Sequence, residues 1–150
     1  MTGANKLLIH GTCVALRGKA ALLKGAPGAG KSDLALRFVS SFTEDGAALV
    51  ADDQVRVWCR GDCLAVGPPE TLTGLLEVRG LGIVEMPHVT GAILGLIVTL
   101  SPSDQIPRLP RDPLPREDLL GHSLPMLTLA PFEVSAAVKL KLALERLSEG

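Results

Sequence analysis

The chain has 150 residues and a net charge of -1, with 47% apolar and 21% charged side chains. That length suits one domain, residues 1–150, with one substantial core, and the composition argues against disorder. A charge near zero excludes an overall basic field for nucleic acid or an anionic membrane, and 3% aromatic residues without tyrosine argues against a single-strand stacking platform.

Leu7 to His10 and Thr12 to Leu16 read as strands, and Arg17-Gly18-Lys19 reads as a turn into a third strand, Ala20 to Lys24. A glycine-rich loop follows. From Lys31, apolar residues at Leu34, Ala35, Phe38, Val39 and Phe42 predict a helix that ends before Asp45-Gly46. Ala47 to Ala51 is a short strand ending in Asp52-Asp53. Val55 to Cys59 and Cys63 to Val66 form a hairpin around Gly61. After the break at Pro68-Pro69, Leu75 to Val78 and Ile83 to Met86 are short strands around Arg79-Gly80-Leu81-Gly82, and Ile93 to Leu100 is a strong one. Five prolines make Ser101 to Pro115 irregular. Leu124 to Leu129 is a last strand. Phe132 to Leu147 reads as an amphipathic helix with Val134, Ala137, Val138, Leu140, Ala143, Leu144 and Leu147 on its apolar face. This order predicts an α/β fold, a mixed β-sheet with few flanking helices and not a regular βαβ repeat.

No apolar run reaches ~18 residues, so no membrane span is expected. The start, Met1 to Lys6, is too polar for a secretory segment. An odd cysteine count (Cys13, Cys59, Cys63) fits reduced thiols in a cytoplasm. Cys59 and Cys63 lie across the Arg60-Gly61-Asp62 turn, where two thiols without further ligands make a poor zinc site.

The string Gly25-Ala26-Pro27-Gly28-Ala29-Gly30-Lys31-Ser32 is a P-loop between a strand and a helix. Glycines let the backbone approach a ligand, and successive N–H groups with the new helix N-terminus cradle phosphate oxygens. Lys31 supplies a charge to the β- and γ-phosphates and Ser32 a magnesium ligand. In Asp52-Asp53, one carboxylate suits Mg²⁺ and the other suits a proton from a hydroxyl nucleophile, although a polar turn would also use Asp here. Strand alternation puts Glu77 and Arg79 on one face, either as metal and phosphate ligands or as a surface ion pair. By pattern alone His10 is more often structural, and His88 and His122 have no motif context.

These pieces resemble the HPr kinase/phosphorylase family: His10-Gly11 ahead of a hairpin, then Gly25 to Arg37, Leu49 to Val55, and Leu76-Glu77-Val78-Arg79-Gly80-Leu81-Gly82-Ile83. Order and spacing agree over roughly residues 5 to 100. The resemblance implies a cytoplasmic, Mg²⁺-dependent serine kinase that phosphorylates the phosphocarrier HPr from ATP or pyrophosphate, with reverse phosphorolysis, and that assembles as a hexamer. It implies that His10 assists the acid/base group, Lys31 contacts phosphates, Ser32 and Glu77 serve the metal, and one of Asp52 and Asp53 (Asp53 is favoured) takes the serine proton. Arg108 is similar to a catalytic arginine, and Arg79, Gly80 and Gly82 belong to the family signature. The chain resembles short forms comprising the catalytic domain. Where the family's late loop carries arginines, Leu124 to Pro131 has none, which implies kinase more than phosphorylase. Two rivals share the scaffold: a small-molecule kinase, and a nucleotide-sensing module with little turnover.

Overall fold

A computed structural model describes residues 6–69 and 73–148, so the polar start over residues 1–5 lies outside the described residues. The strands are β1 (Lys6–His10), β2 (Thr12–Leu16), β3 (Lys19–Lys24), β4 (Ala47–Ala51), β5 (Gln54–Arg60), β6 (Cys63–Gly67), β7 (Leu75–Val78), β8 (Gly82–Glu85), β9 (Ala92–Leu100), β10 (Arg116–Leu119) and β11 (His122–Leu129). Among the described residues two α-helices, α1 (Lys31–Phe42) and α2 (Ala136–Arg146), complete the α/β fold.

The main sheet runs β1-β5-β6-β9-β3-β2-β4, with β11 also on β9. It is mixed: β3–β9 and β9–β11 are parallel, whereas β1–β5, β5–β6, β6–β9, β2–β3, β2–β4 and β10–β11 are antiparallel. Hairpin β7–β8 stands apart as a two-stranded sheet. The β2–β3 turn uses positive φ at both Arg17 (50°) and Gly18 (85°), the backbone a two-residue hairpin needs to match strand twist.

The central strands are buried on both faces, which is why they read as unbroken apolar runs. Val14, Leu16, Ala21 and Leu23 face a core shared with α1 and α2, whereas Cys13, Ala15, Ala20 and Leu22 face a second core inside the curl of the sheet. Helix α1 contributes Leu34, Ala35, Phe38 and Val39 to the first core. Burial of a side chain such as Leu34 or Phe38 is worth about 1.5–3 kcal/mol. Gly46, in the left-handed conformation, ends the segment after α1, as expected. One irregularity interrupts β2–β4: Cys13 pairs with Ala51 and Val14 with Leu49, which leaves Val50 as an extra residue in β4.

Helix α2 begins at Ala136, not at Phe132. Its buried face is Ala136, Ala137, Leu140, Ala143 and Leu144, while Val134 is fully exposed and Val138 and Leu147 are exposed too. Strand β10, polar and following the prolines, was not foreseen. Lys24 Nζ holds it by donating to Glu117 Oε2 at 2.9 Å. The stretch Leu124 to Leu129 is strand, with Leu124 and Leu129 buried and Met126 to Thr128 half-buried. Across the β5–β6 hairpin Cys59 pairs with Leu64 and Arg60 with Cys63, so alternation sends Cys59 and Cys63 to opposite faces. Burial pushes the Cys13 thiol far up from its ordinary range. Thiol titration is therefore expected to modify Cys59 and Cys63 in the native protein and Cys13 only after denaturation. Prompt reaction of all three would contradict this packing.

Candidate active site

The site forms where β3 and β4 end. Between β3 and α1 the chain turns through Gly25 to Gly30, with Ala29 N–H donating to Ala26 O at 2.9 Å. Gly28 (φ 82°) and Gly30 (φ 103°) take the left-handed backbone that side chains resist. Lys31 opens the helix and turns its Nζ back onto Gly25 O (2.7 Å) and Ala26 O (3.2 Å). Ser32 follows in the first turn.

Asp52 gathers the elements around this loop. Its Oδ1 accepts from Ser32 Oγ at 2.8 Å and from Thr12 Oγ1 at 2.9 Å, and its Oδ2 accepts from Glu77 N–H at 3.4 Å. One carboxylate thus joins α1, β2 and β7. Thr12 is the buried polar side chain of this region, and its hydroxyl is satisfied by that bond.

Asp53 points elsewhere. Its φ of 72° is unusual for a non-glycine residue, although Asp tolerates it better than most. The turn is pinned by Gly11 N–H to Asp53 O (3.0 Å) and Gln54 N–H to Asp52 O (2.8 Å). The carboxylate stands 3.6 Å from His10 Nδ1, with both side chains more than 70% exposed. Neighbouring carboxylates therefore have separate surroundings: Asp52 is held by hydroxyls, and Asp53 is open to solvent beside an imidazole.

A cleft of about 530 Å³ runs over these groups, lined by Thr12, Gly28, Gly30, Lys31, Ser32, Asp52, Asp53, Glu77, Arg79 and Phe132 among others. Glu77 lies in β7 and Arg79 in the turn that follows it, and Val78 between them lines the cleft as well, so strand alternation does not extend to Arg79. Gly80 (φ 87°) forms the tip of hairpin β7–β8 and Gly82 (φ 111°) opens β8. Arg108 is exposed in the segment after Gln105 and is not a cleft-lining residue. His88 sits against Gly74 with Nδ1 2.9 Å from Met86 O, and His122 Nδ1 lies 3.3 Å from Leu120 O, away from the cleft. A second groove of about 480 Å³ lies along β1 and β5, against Leu7, Leu8 and Trp58. Its lining has little polar surface, and none of the sequence-predicted site residues borders it.

Sequence reasoning missed three residues. Thr12 sits in an apolar strand and meets Asp52 forty positions away, so nothing local marked it. Phe132, at the start of the expected second helix, instead stands in the turn before α2 and lines the cleft. Arg37, within the helical string, reaches the carbonyls of Pro131 and Glu133.

Among the described residues, no helix is long and apolar enough to cross a membrane. The chain is 35% identical over 131 residues to the HPr kinase/phosphorylase of Exiguobacterium sibiricum, covering 81% of this chain and 41% of that protein. It is 40% identical over 101 residues to that of Limosilactobacillus reuteri, covering 65% and 28%. The chain thus spans less than half the length of these relatives. The solved structure of the HPr(Ser) kinase/phosphatase from Coxiella burnetii shares the fold, with a TM-score of 0.75 at 22% identity over 93% of this chain and 88% of that one. The family model of the HPr serine kinase C-terminal domain matches residues 2–109, and the chain belongs to that family.

Proposed function

We propose that the described residues make one P-loop kinase-like catalytic domain that transfers the γ-phosphoryl group of ATP to a serine of HPr in a Mg²⁺-dependent reaction. The observation that carries this reading is the convergence of the Gly25–Ser32 loop, Asp52, Asp53 and Glu77 on one cleft. Loop N–H groups and Lys31 would hold the phosphates. Ser32, Asp52 and Glu77 offer hard oxygen donors of the kind Mg²⁺ takes alongside nucleotide phosphates, and the metal would neutralise developing charge.

Asp53 is the base. It accepts the serine hydroxyl proton as that oxygen bonds to the γ-phosphorus, and the bond to the β–γ bridging oxygen breaks to release ADP. His10, 3.6 Å away, supports the carboxylate as the proton arrives. Its exposure suits a protein substrate, whose serine must reach the base from outside. The three free thiols suit a reducing compartment such as the cytoplasm.

The test is incubation with labelled ATP and Mg²⁺, with and without HPr. Label on a serine of HPr is expected, and adding inorganic phosphate to the phosphorylated product measures the reverse reaction. Label appearing only on a metabolite would replace this reading with a small-molecule kinase. Tight ATP binding without transfer would replace it with a nucleotide sensor.

A further inference from the structure

Phe132 contradicts the usual economy of burial. The chain has three phenylalanines. Phe38 and Phe42 pack edge to face at 5.8 Å in the helix-side core, but Phe132 is 71% exposed. It belongs to neither strand nor helix, standing in the turn between β11 and α2.

That turn is held firmly. From α1, Arg37 donates to the carbonyls of Pro131 (Nη2) and Glu133 (Nη1, 3.3 Å), the residues on either side of Phe132. Asp33 accepts from Arg37 Nε at 3.0 Å and fixes the guanidinium. Glu133 N–H donates to Ala130 O, and the Glu133 carboxylate accepts from Lys139 at 2.7 Å. An exposed ring on an anchored turn is presented, not left over.

Its position gives it a task. The ring lies against Gly30, where a Cβ would come within 2.9 Å of Phe132 Cζ and 3.1 Å of Cε1. It lines the same cleft as Lys31 and Ser32. Strands β3, β9 and β11 run parallel as neighbours, so the loop after β3 and the turn after β11 share the carboxyl edge of the sheet, where ligands of such sheets bind.

We propose that Phe132 is the platform on which the base of a bound nucleotide stacks, with Arg37 as the residue that positions it. This rests on reading the glycine-rich loop as the phosphate site. Phosphates held at the entrance of α1 leave the nucleoside free to extend across Gly30 onto the ring. Stacking accepts any base because every base has a π-face. The polar side chains beside the turn, Asp33 and Glu133, are engaged with Arg37 and Lys139.

The experiment compares calorimetric binding of Mg-ATP and Mg-tripolyphosphate to the wild-type protein, Phe132→Ala, Phe132→Trp and Arg37→Gln. Phe132→Ala is expected to weaken ATP binding on the order of 10- to 100-fold and to leave tripolyphosphate binding unchanged. Arg37→Gln should show the same split, which a purely structural role would not produce. Phe132→Trp should retain ATP binding, with its emission quenched by ATP and not by tripolyphosphate. An alanine variant that binds ATP like wild type, or loses both compounds equally, overturns the platform. Wild-type protein that binds neither compound overturns the phosphate-site reading and the platform with it. Tripolyphosphate bound as tightly as ATP by the wild type removes only the platform.

Discussion

Asp53→Asn is expected to bind nucleotide like the wild type and to transfer phosphate to HPr about 10²- to 10⁴-fold more slowly, the usual worth of a positioned general base. The separation of the two effects follows from geometry. Asp53 makes its side-chain contact with exposed His10 and is itself exposed, so the substitution removes no buried bond. Its backbone φ of 72° is one that Asn also accepts, so the turn and the Gly11 N–H to Asp53 O bond persist. The groups proposed to bind nucleotide, Lys31 and the loop before it, lie elsewhere in the cleft. Binding by calorimetry and transfer by label on HPr are therefore independent readouts. Full transfer by this variant would remove Asp53 from the chemistry.

Lys31→Met should act on both steps. Removing one preorganised cation from a phosphoryl-transfer site costs about 10²- to 10³-fold in rate. The lysine also donates to Gly25 O and Ala26 O, so its loss loosens the loop proposed to receive the phosphates. Affinity for ATP and for tripolyphosphate should fall together, unlike the split expected at Phe132, and unlike Asp53→Asn, where neither falls. Measuring both ligands on this variant checks it. Unaltered tripolyphosphate affinity would mean that the phosphates are held elsewhere.

Much of this site could be read along the chain because its parts are local. The loop from Gly25 to Ser32 and the helix after it are consecutive, and the spacing of Leu34, Phe38 and Val39 specifies the buried face without help from other elements. The sheet was legible as strands because two-sided burial makes β2, β3 and β4 uniformly apolar. Legibility ended where distant residues decide. The pattern from Phe132 to Val138 has helical spacing, yet Arg37 captures the Pro131 and Glu133 carbonyls and the helix starts only after them. Strand β10 is nearly all polar and is selected by its partner β11 and by Lys24. Arg108 shows the opposite case: a residue suggested by similarity across a proline-rich stretch that lies outside the cleft.

The extra residue in β4 has an effect on the site out of proportion to its size. Along a regular strand, side chains would alternate between the two cores, and Leu49 on the helix side would be followed by Val50 inside the curl and Ala51 on the helix side again. Instead Val50 and Ala51 both pack inside the curl. The bulge reverses the parity of everything after it. Asp52 consequently emerges toward α1, where Ser32 meets it, when an uninterrupted strand would have aimed it away. A single inserted position thus works as a phase switch that selects which side of the sheet receives the carboxylate.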